Sequence, residues 1–260
     1  MTVFAKDSDV TAVLTSCGRF DLLRQTLDSF FRYNTYPLRN FFLIEDSAKA
    51  GVENHISESV RAAVKVRVNR PPVGQVAAVD KVYAEVTTPY VFHLEDDWLF
   101  YRPGFIEDSR KILQAEPRAL LVQLRSYHHD LAYYGTRPLR LGARRVVDGV
   151  AFYRLESGHA HSQCFSFNPG LRRRGDYPAG GYTALAGGGT GTEAEVAASE
   201  YYAAQGCFQV ALENDAVKHT GFGRHVAHRP TRWKKHRDHV LRFFTAAALF
   251  ALGWWIGAGR

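Results

Sequence analysis

Three carboxylates stand side by side at Glu95, Asp96 and Asp97, and an aromatic residue, Trp98, follows them. Adjacent carboxylates repel one another and resist burial unless a positive charge compensates them. A hard divalent ion such as Mg²⁺ or Mn²⁺ prefers oxygen ligands of this kind. An acidic, solvated turn is the competing reading of three such residues taken alone. The residues before them favour the first reading. Residues 90–94 are an apolar run bounded by Pro89 on one side and Pro103-Gly104 on the other. The run has the length of a strand buried in a parallel sheet. Its acidic end then falls at the carboxyl edge of that sheet, where open α/β proteins bind ligands. Two other apolar runs end in the same manner: residues 10–15 in Thr15-Ser16, with Arg19 just beyond, and residues 41–44 in Glu45-Asp46.

The elements that must bring these ends together alternate in type. After the first strand, Phe20, Leu23, Leu27, Phe30 and Phe31 recur at helical spacing, and Asn34 and Pro37 close the helix. A strand at 41–44, a short helix at 53–62, a strand at 64–68, a loop at 69–75 and a helix at 76–86 lead into the central strand. Strands alternating with helices predict right-handed crossovers and an α/β fold with a mainly parallel sheet and helices on both faces. The strand ends then share one edge. Further on, the spacing predicts a helix over 104–115 and a strand over 119–124. Residues 126–160, rich in Tyr, Arg, His and Gly, read as short strands and loops. A strand at 163–167 is stopped by Asn168-Pro169-Gly170, and the basic Arg172-Arg173-Arg174 follows as an anion contact or a solvated loop. The glycine-rich 180–191 reads as a mobile loop, then comes a helix at 193–205 stopped by Gly206 and strands at 208–212 and from 217. No G-x-G-x-x-G follows the first strand and no G-x-x-x-x-G-K-[ST] occurs, which argues against an ordinary dinucleotide site and a P-loop.

Bulk properties narrow the class. The 260 residues are 46% hydrophobic and 13% aromatic, enough for one large domain with an appendage. Cys17, Cys164 and Cys207 are odd in number and scattered, which fits a reducing compartment. Residues 1–9 lack a basic region followed by an apolar segment, so no secretory leader is expected. The net charge is +7, but the stretch from Arg224 to Arg242 holds seven Lys or Arg against Asp238 alone, a net +6 of that total. The body is nearly neutral and no nucleic-acid partner is expected. Residues 243–258 carry no charge and include Trp254-Trp255, but fall short of the ~20 residues of a full span. A basic flank, an apolar helix and terminal tryptophans predict a tail lying at or shallowly in a membrane surface. The reading is a catalytic body over 1–223 and a tail over 224–260, in the cytoplasm, peripheral to or anchored at the inner face of the membrane. A C-terminal helix packed on the body is the competing reading of the tail.

An ordered set of segments spans residues 10–223: V-T-A-V-L-T-S-C-G-R with R-Q-T-L-D-S-F in the next helix, I-E-D-S, V-G-Q-V-A-A-V-D, V-F-H-L-E-D-D-W, N-P-G, T-E-A-E-V ahead of A-A-Q-G, and V-K-H-T-G. The set resembles the GT-A fold nucleotide-sugar glycosyltransferases, close to their inverting, family two-like group. The E-D-D-W on a buried strand, similar to that family's D-x-D-type motif, is its most specific part.

The resemblance implies roles position by position. Asp97 matches the carboxylate that binds a Mn²⁺ or Mg²⁺ cofactor directly, and His219 the late histidine that completes the metal or diphosphate site. Glu95 and Asp96 would lie on the donor side, Asp46 would recognise the uracil or ribose, and Thr15, Arg19 and Gln75 would line the donor pocket. Asp80 stands where asparagine is common, which puts its donor contact in question. The implied partners are a nucleotide-sugar donor, a UDP-sugar foremost, and a glycan or lipid-linked acceptor. Attack by the acceptor hydroxyl needs a general base, for which Glu193 and Glu195 are candidates. Residues two apart on a helix point about 200° from one another, so at most one faces the cleft, and the spacing back from Gly206 favours Glu195. The competing reading makes both of them N-terminal helix acids that complement the dipole. His128-His129-Asp130 and His159-Ala160-His161 read as loop or acceptor contacts, Cys17 as a pocket wall and His93 as core. Two other functions compete. A sugar nucleotidyltransferase would carry a glycine- and lysine-rich loop after the first strand, which Ser16-Cys17-Gly18-Arg19 is not. A non-catalytic sugar- or membrane-binding protein with a degenerate site would not need Asp97 and the Glu193/Glu195 pair.

Overall fold

The computed structural model describes residues 4–133, 139–157, 164–224 and 226. The chain divides into Met1–Phe222 and Gly223–Arg260. The apolar tail, Trp233, His159 and His161 lie outside the described residues, and so do the membrane and tail-packing readings that rest on them. Among the described residues no helix is long and apolar enough to cross a membrane.

The alternating apolar runs become strands β1 (Val10–Ser16), β2 (Asn40–Glu45), β3 (Val64–Val68) and β4 (Tyr90–Glu95), separated by α1 (Phe20–Tyr33), the short α2 (Glu58–Arg61) and α3 (Gln75–Tyr83). They form a mixed α/β, Rossmann-like arrangement with the order β3-β2-β1-β4, all parallel. Register sets the shared edge: Thr15 lies opposite both Ile44 and Glu95, and Ser16 opposite Glu45. Strands β1, β2 and β4 are buried on both faces, so neighbouring residues enter different cores. Ala12 and Leu14 join the cluster around Phe30, while Val13 joins the one around Tyr83 and Phe167. Phe30 meets the rings of Phe31, Phe41, Phe92, Phe100 and Phe105 at centroid separations of 5.3 to 5.9 Å.

The sheet is less uniformly parallel than the alternation predicts. A fifth strand, β9 (Gly170–Arg173), runs antiparallel to β4. Strands β6 (Ala119–Gln123), β7 (Arg140–Val147), β8 (Val150–Glu156) and β10 (Phe208–Leu212) make a second, mixed sheet in the order β6-β10-β8-β7, and β5 (Trp98–Phe100) pairs antiparallel with β11 (Val217–His219). Within the stretch expected to hold short strands and loops, residues 140–156 form one long hairpin, turned at Asp148-Gly149, both of which have positive φ. That is the backbone a tight Asp-Gly hairpin turn requires.

The strand predicted at 163–167 does not form. Phe165 donates its N–H to Ser199 Oγ and Phe167 donates to Glu195 Oε1, so side chains of α6 (Gly191–Ala204) take the hydrogen bonds a strand would use. The first two of the three arginines that follow turn inward instead of forming a solvated loop. Arg172 is buried against the rings of Phe165 and Phe167, and Arg173 donates to the carbonyls of Ala119, Leu113 and Glu116. The helix expected over 104–115 is α4 (Phe105–Ala115), and the glycine-rich stretch holds α5 (Gly181–Leu185) in place of a mobile loop.

His93 is fully buried in β4, its Nδ1 3.2 Å from Tyr83 Oη, as the core reading expects. Burial, reinforced by the Arg172 charge, holds its pKa well below the ordinary value. The unfolded chain takes up a proton below about pH 6.5 that the folded chain refuses, so stability is lost as pH falls through that value. His93→Gln, which keeps a partner for Tyr83, is expected to flatten this loss, by up to about 1.4 kcal/mol per pH unit. Urea denaturation between pH 7 and about pH 5.5 measures it.

Candidate active site

The β4–β5 turn carries the acidic cluster, and α1 holds that turn in place. Thr26 Oγ1 accepts the N–H of Trp98 at 3.0 Å and Ser29 Oγ accepts that of Phe100 at 3.1 Å. Asp96 and Asp97 are thereby fixed next to the β1–α1 loop. Arg19, at the start of α1, bridges them: Nη2 pairs with Asp96 Oδ1, and Nη1 donates to Asp97 Oδ2 at 2.7 Å.

Each carboxylate is compensated differently. Asp96 Oδ2 accepts from Ser16 Oγ at 3.1 Å and the Cys17 N–H at 3.2 Å. Burial nevertheless raises Asp96 to about 6, with Asp97 adding to the rise and Arg19 opposing it. Asp97 is also pushed up by burial, but His219 and Arg19 outweigh that and hold it below the usual carboxylate range. For Glu95, burial, followed by the charges of Asp97, Glu195 and Asp96, raises the pKa to about 8, which favours the neutral form. Its Oε1 accepts from Gln75 Nε2 at 2.7 Å.

His219 reaches the cluster from β11. Its Nε2 lies 3.2 Å from Asp97 Oδ2, and its ring packs between those of Trp98 and Phe222, at 4.9 and 4.5 Å. The following turn closes on Asp97: Thr220 donates both its N–H and its hydroxyl to the Asp97 carbonyl. A Cβ on Gly221 would sit 2.8 Å from Asp97 Cβ and Cγ. The Asp97–His219 separation is close to the ~3 Å edge between neighbouring ligands of an octahedral ion with bonds of ~2.1 Å. One carboxylate and one imidazole suit Mn²⁺ better than Mg²⁺ or Ca²⁺. Among the described residues no group of three or more His, Cys, Asp or Glu could hold a metal. A cation at Asp97 and His219 would therefore need further ligands from a bound molecule and water.

The two candidate bases separate as helix geometry requires. Glu193 lies on the exposed side of α6 and closes a capping box, its Oε2 accepting the Thr190 N–H at 2.6 Å. Glu195 turns inward, where Oε1 accepts from the Phe167 N–H at 2.7 Å and from Ser166 Oγ at 3.2 Å. Burial raises Glu195, while those two donors and the charges of Arg172 and Arg125 pull it back. The first residue of α6, Gly191, lies against the Gln75 side chain that reaches Glu95, so α6 and the acidic cluster meet on the same side of the fold.

Two other expected donor contacts have partners within the fold. Asp46 Oδ1 accepts from Asn69 Nδ2 and the Val73 N–H, and Oδ2 accepts from the Gly74 N–H, so Asp46 folds the loop that presents Gln75. Asp80 stands apart from the cluster. Its oxygens accept from Tyr177 Oη, the N–H groups of Tyr182 and Thr183, and Thr183 Oγ1, which ties α5 to α3. The Asp80 carboxylate is thus held by four donors from Tyr177, Tyr182 and Thr183. Thr15 is buried at the end of β1 beside Glu95. His128 and His129 are exposed, and Asp130 forms a two-pronged pair with Arg125. Sequence reasoning missed Arg125, which is buried against the Trp98 ring. The signal was a lone arginine directly after an apolar strand.

No family model matches the chain, and none of the curated proteins matches it. Solved structures do. TarS residues 1–349 from S. aureus superpose with a TM-score of 0.52 at 10% identity, over 82% of this chain and 60% of that one. The same fragment in complex with UDP gives 0.50 at 10% identity, over 80% and 59%. The mannosyltransferase PcManGT from Pyrobaculum calidifontis, in complex with GDP-Man and Mn²⁺, gives 0.40 at 16% identity, over 49% and 39%. This chain thus matches less than two thirds of the length of each of these solved chains. The TarS likeness shows a shared fold.

Gly221→Ala is expected to cost about 1–3 kcal/mol, because the new methyl meets the fixed body of Asp97. Gly175→Ala, with nothing within 4 Å of its Cβ position, is the control and should stay within about 0.5 kcal/mol of wild type. Chemical denaturation of both variants checks the difference.

Proposed function

We propose that this protein transfers a sugar from a nucleotide-sugar donor to an acceptor hydroxyl, with inversion at the sugar carbon and with a divalent cation as cofactor. The reading rests above all on one arrangement: Asp97, His219 and Arg19 meet at the carboxyl edge of a parallel sheet on the same side as an inward-facing Glu195. The fold shared with the TarS fragment, which is recorded with UDP, supports trying UDP-sugars first.

Asp97 and His219 would hold the cation, Mn²⁺ in preference to Mg²⁺. The cation supplies Lewis-acid stabilisation of the diphosphate as it leaves. Arg19 adds a second positive charge at the same place. Glu95, neutral and oriented by Gln75, can donate a hydrogen bond to the donor where a third carboxylate charge would repel it. Glu195 takes the proton from the acceptor hydroxyl as that oxygen bonds to the sugar carbon. The carbon–oxygen bond to the diphosphate breaks, and its electron pair leaves on the phosphate oxygen. The basic and apolar tail over 224–260 would place this chemistry at the cytoplasmic face of a membrane, near a glycan or lipid-linked acceptor.

In a thermal-shift screen, UDP-sugars with Mn²⁺ should raise the melting temperature of the wild type, because ligand bound to the folded state stabilises it. Asp97→Asn should lose the Mn²⁺-dependent part of the shift. Glu195→Gln should keep the shift but transfer about 10²–10⁴-fold more slowly. Donor turnover in Asp97→Asn equal to wild type would remove the cation from the mechanism. Deleting residues 240–260 should move the protein from the membrane to the soluble fraction, and an unchanged distribution would refute the tail's role.

A further inference from the structure

Asp97 Oδ2 receives two claims. It is the oxygen placed 3.2 Å from His219 Nε2, and it is also the oxygen to which Arg19 Nη1 donates at 2.7 Å. A cation held by Asp97 and His219 would stand next to the Arg19 guanidinium and be repelled by it. We propose that Arg19 is an exchangeable counter-ion. It neutralises Asp97 until a divalent cation takes that carboxylate, and it then turns to the diphosphate, so that cation and diphosphate bind as a coupled pair. The inference rests on the nucleotide-sugar reading given above.

Three observations identify Arg19 as the member that moves. First, both carboxylates are anchored from other directions. Asp96 is held by Ser16 Oγ and the Cys17 N–H, and the Asp97 main chain by Thr220. Second, exposure is graded outward. The side chains of Asp96 and Asp97 are 1% and 7% exposed, whereas that of Arg19 is 16% exposed, so the guanidinium covers the pair from the solvent side. Third, Arg19 is the N-cap residue of α1 but its side chain makes no capping hydrogen bond, so its guanidinium can change partner without uncapping the helix.

Charge supplies the coupling. Asp96, Asp97 and Arg19 together leave one net negative charge. A dication arriving alone would make the site positive, with two cations in contact. The diphosphate of a nucleotide sugar arriving alone would bring two further negative charges onto a site already negative. Arriving together they restore the original balance, and Arg19 gains phosphate oxygens to replace the carboxylate oxygen it gives up. Each ligand therefore raises the affinity of the other, and the linkage is reciprocal. Direct phosphate ligation of the cation contributes part of this coupling, and Arg19 contributes a separable part.

The test is Mn²⁺ binding to the full chain, followed by loss of the free-ion electron paramagnetic resonance signal, with and without UDP. Removing the rival charge in Arg19→Gln should let Mn²⁺ alone bind about 10-fold tighter than it binds wild type. It should also shrink the factor by which UDP tightens Mn²⁺, within the ~5–150-fold range of ordinary coupling. Arg19→Lys keeps the charge but cannot span both carboxylates, so it should fall between the two and serves if the glutamine variant does not fold. Equal Mn²⁺ affinity in wild type and both variants, with UDP still binding, overturns the counter-ion role and leaves the site reading intact. Failure of every protein to bind Mn²⁺ or UDP overturns the site reading and this inference with it.

Discussion

Three consecutive carboxylates cannot all be both buried and charged, and much of the surrounding structure answers that constraint. Turning a strand end alternates the side chains, which separates the three but does not discharge them. Glu95 stays neutral by burial among like charges. Asp96 is satisfied by a hydroxyl, an amide and half of a guanidinium. Asp97 keeps its charge with Arg19 and His219 beside it. The compensating groups come from residues 16–19, 75 and 219, three stretches far apart in the chain. The parallel sheet, whose strand ends share an edge, brings residues 16–19 to the cluster, the start of α3 brings Gln75, and the antiparallel pairing of β11 with β5 brings His219.

The positions of those groups follow from packing more than from polar contacts. Phe30 and its five ring neighbours press α1 onto the sheet and onto β5. The same helix supplies Thr26 and Ser29 to the N–H groups of β5 and begins at Arg19. One amphipathic helix therefore fixes the acidic turn and carries its cation. β11 then pairs with β5 with His219 opposite Trp98, so the imidazole arrives in a register set by main-chain hydrogen bonds.

What was legible in the sequence was whatever local periodicity decides. The four parallel strands, the start of α1 and the gathering of Thr15, Asp46 and Glu95–Asp97 at one edge all follow from apolar runs that end in polar residues. The types of the polar residues were legible too, but their partners were not. Asp46 and Asp80 are acids at expected places, yet main-chain N–H groups of nearby loops and of α5 compete for them, and only the folded chain shows who wins. Arg172–Arg174 reads as a basic loop because charge hides the strand period, and aromatic faces and helix-end carbonyls then absorb the first two side chains. Residues 165 and 167 look like strand because of their composition, but α6 supplies their hydrogen bonds from far along the chain. The hairpin at Asp148-Gly149 did carry a local signal, an Asp-Gly between valines, which the weak periodicity around it obscured.

The short helix α3 has a further consequence. Its first residue, Gln75, holds Glu95 and lies so close to the first residue of α6 that a Cβ on Gly191 would approach Gln75 Cδ to 3.3 Å. Five residues later, Asp80 holds the start of α5. The acidic turn, the start of α6 and the start of α5 are thus all held against a single rod, with about 7.5 Å between the two residues that hold them. One residue added within that rod would rotate Asp80 by about 100° relative to Gln75 and put α5 out of step with the acidic turn and α6. The relative placement of these three elements is therefore a property of one and a half helical turns, and the large sheet beneath them serves as the bench on which that gauge is mounted.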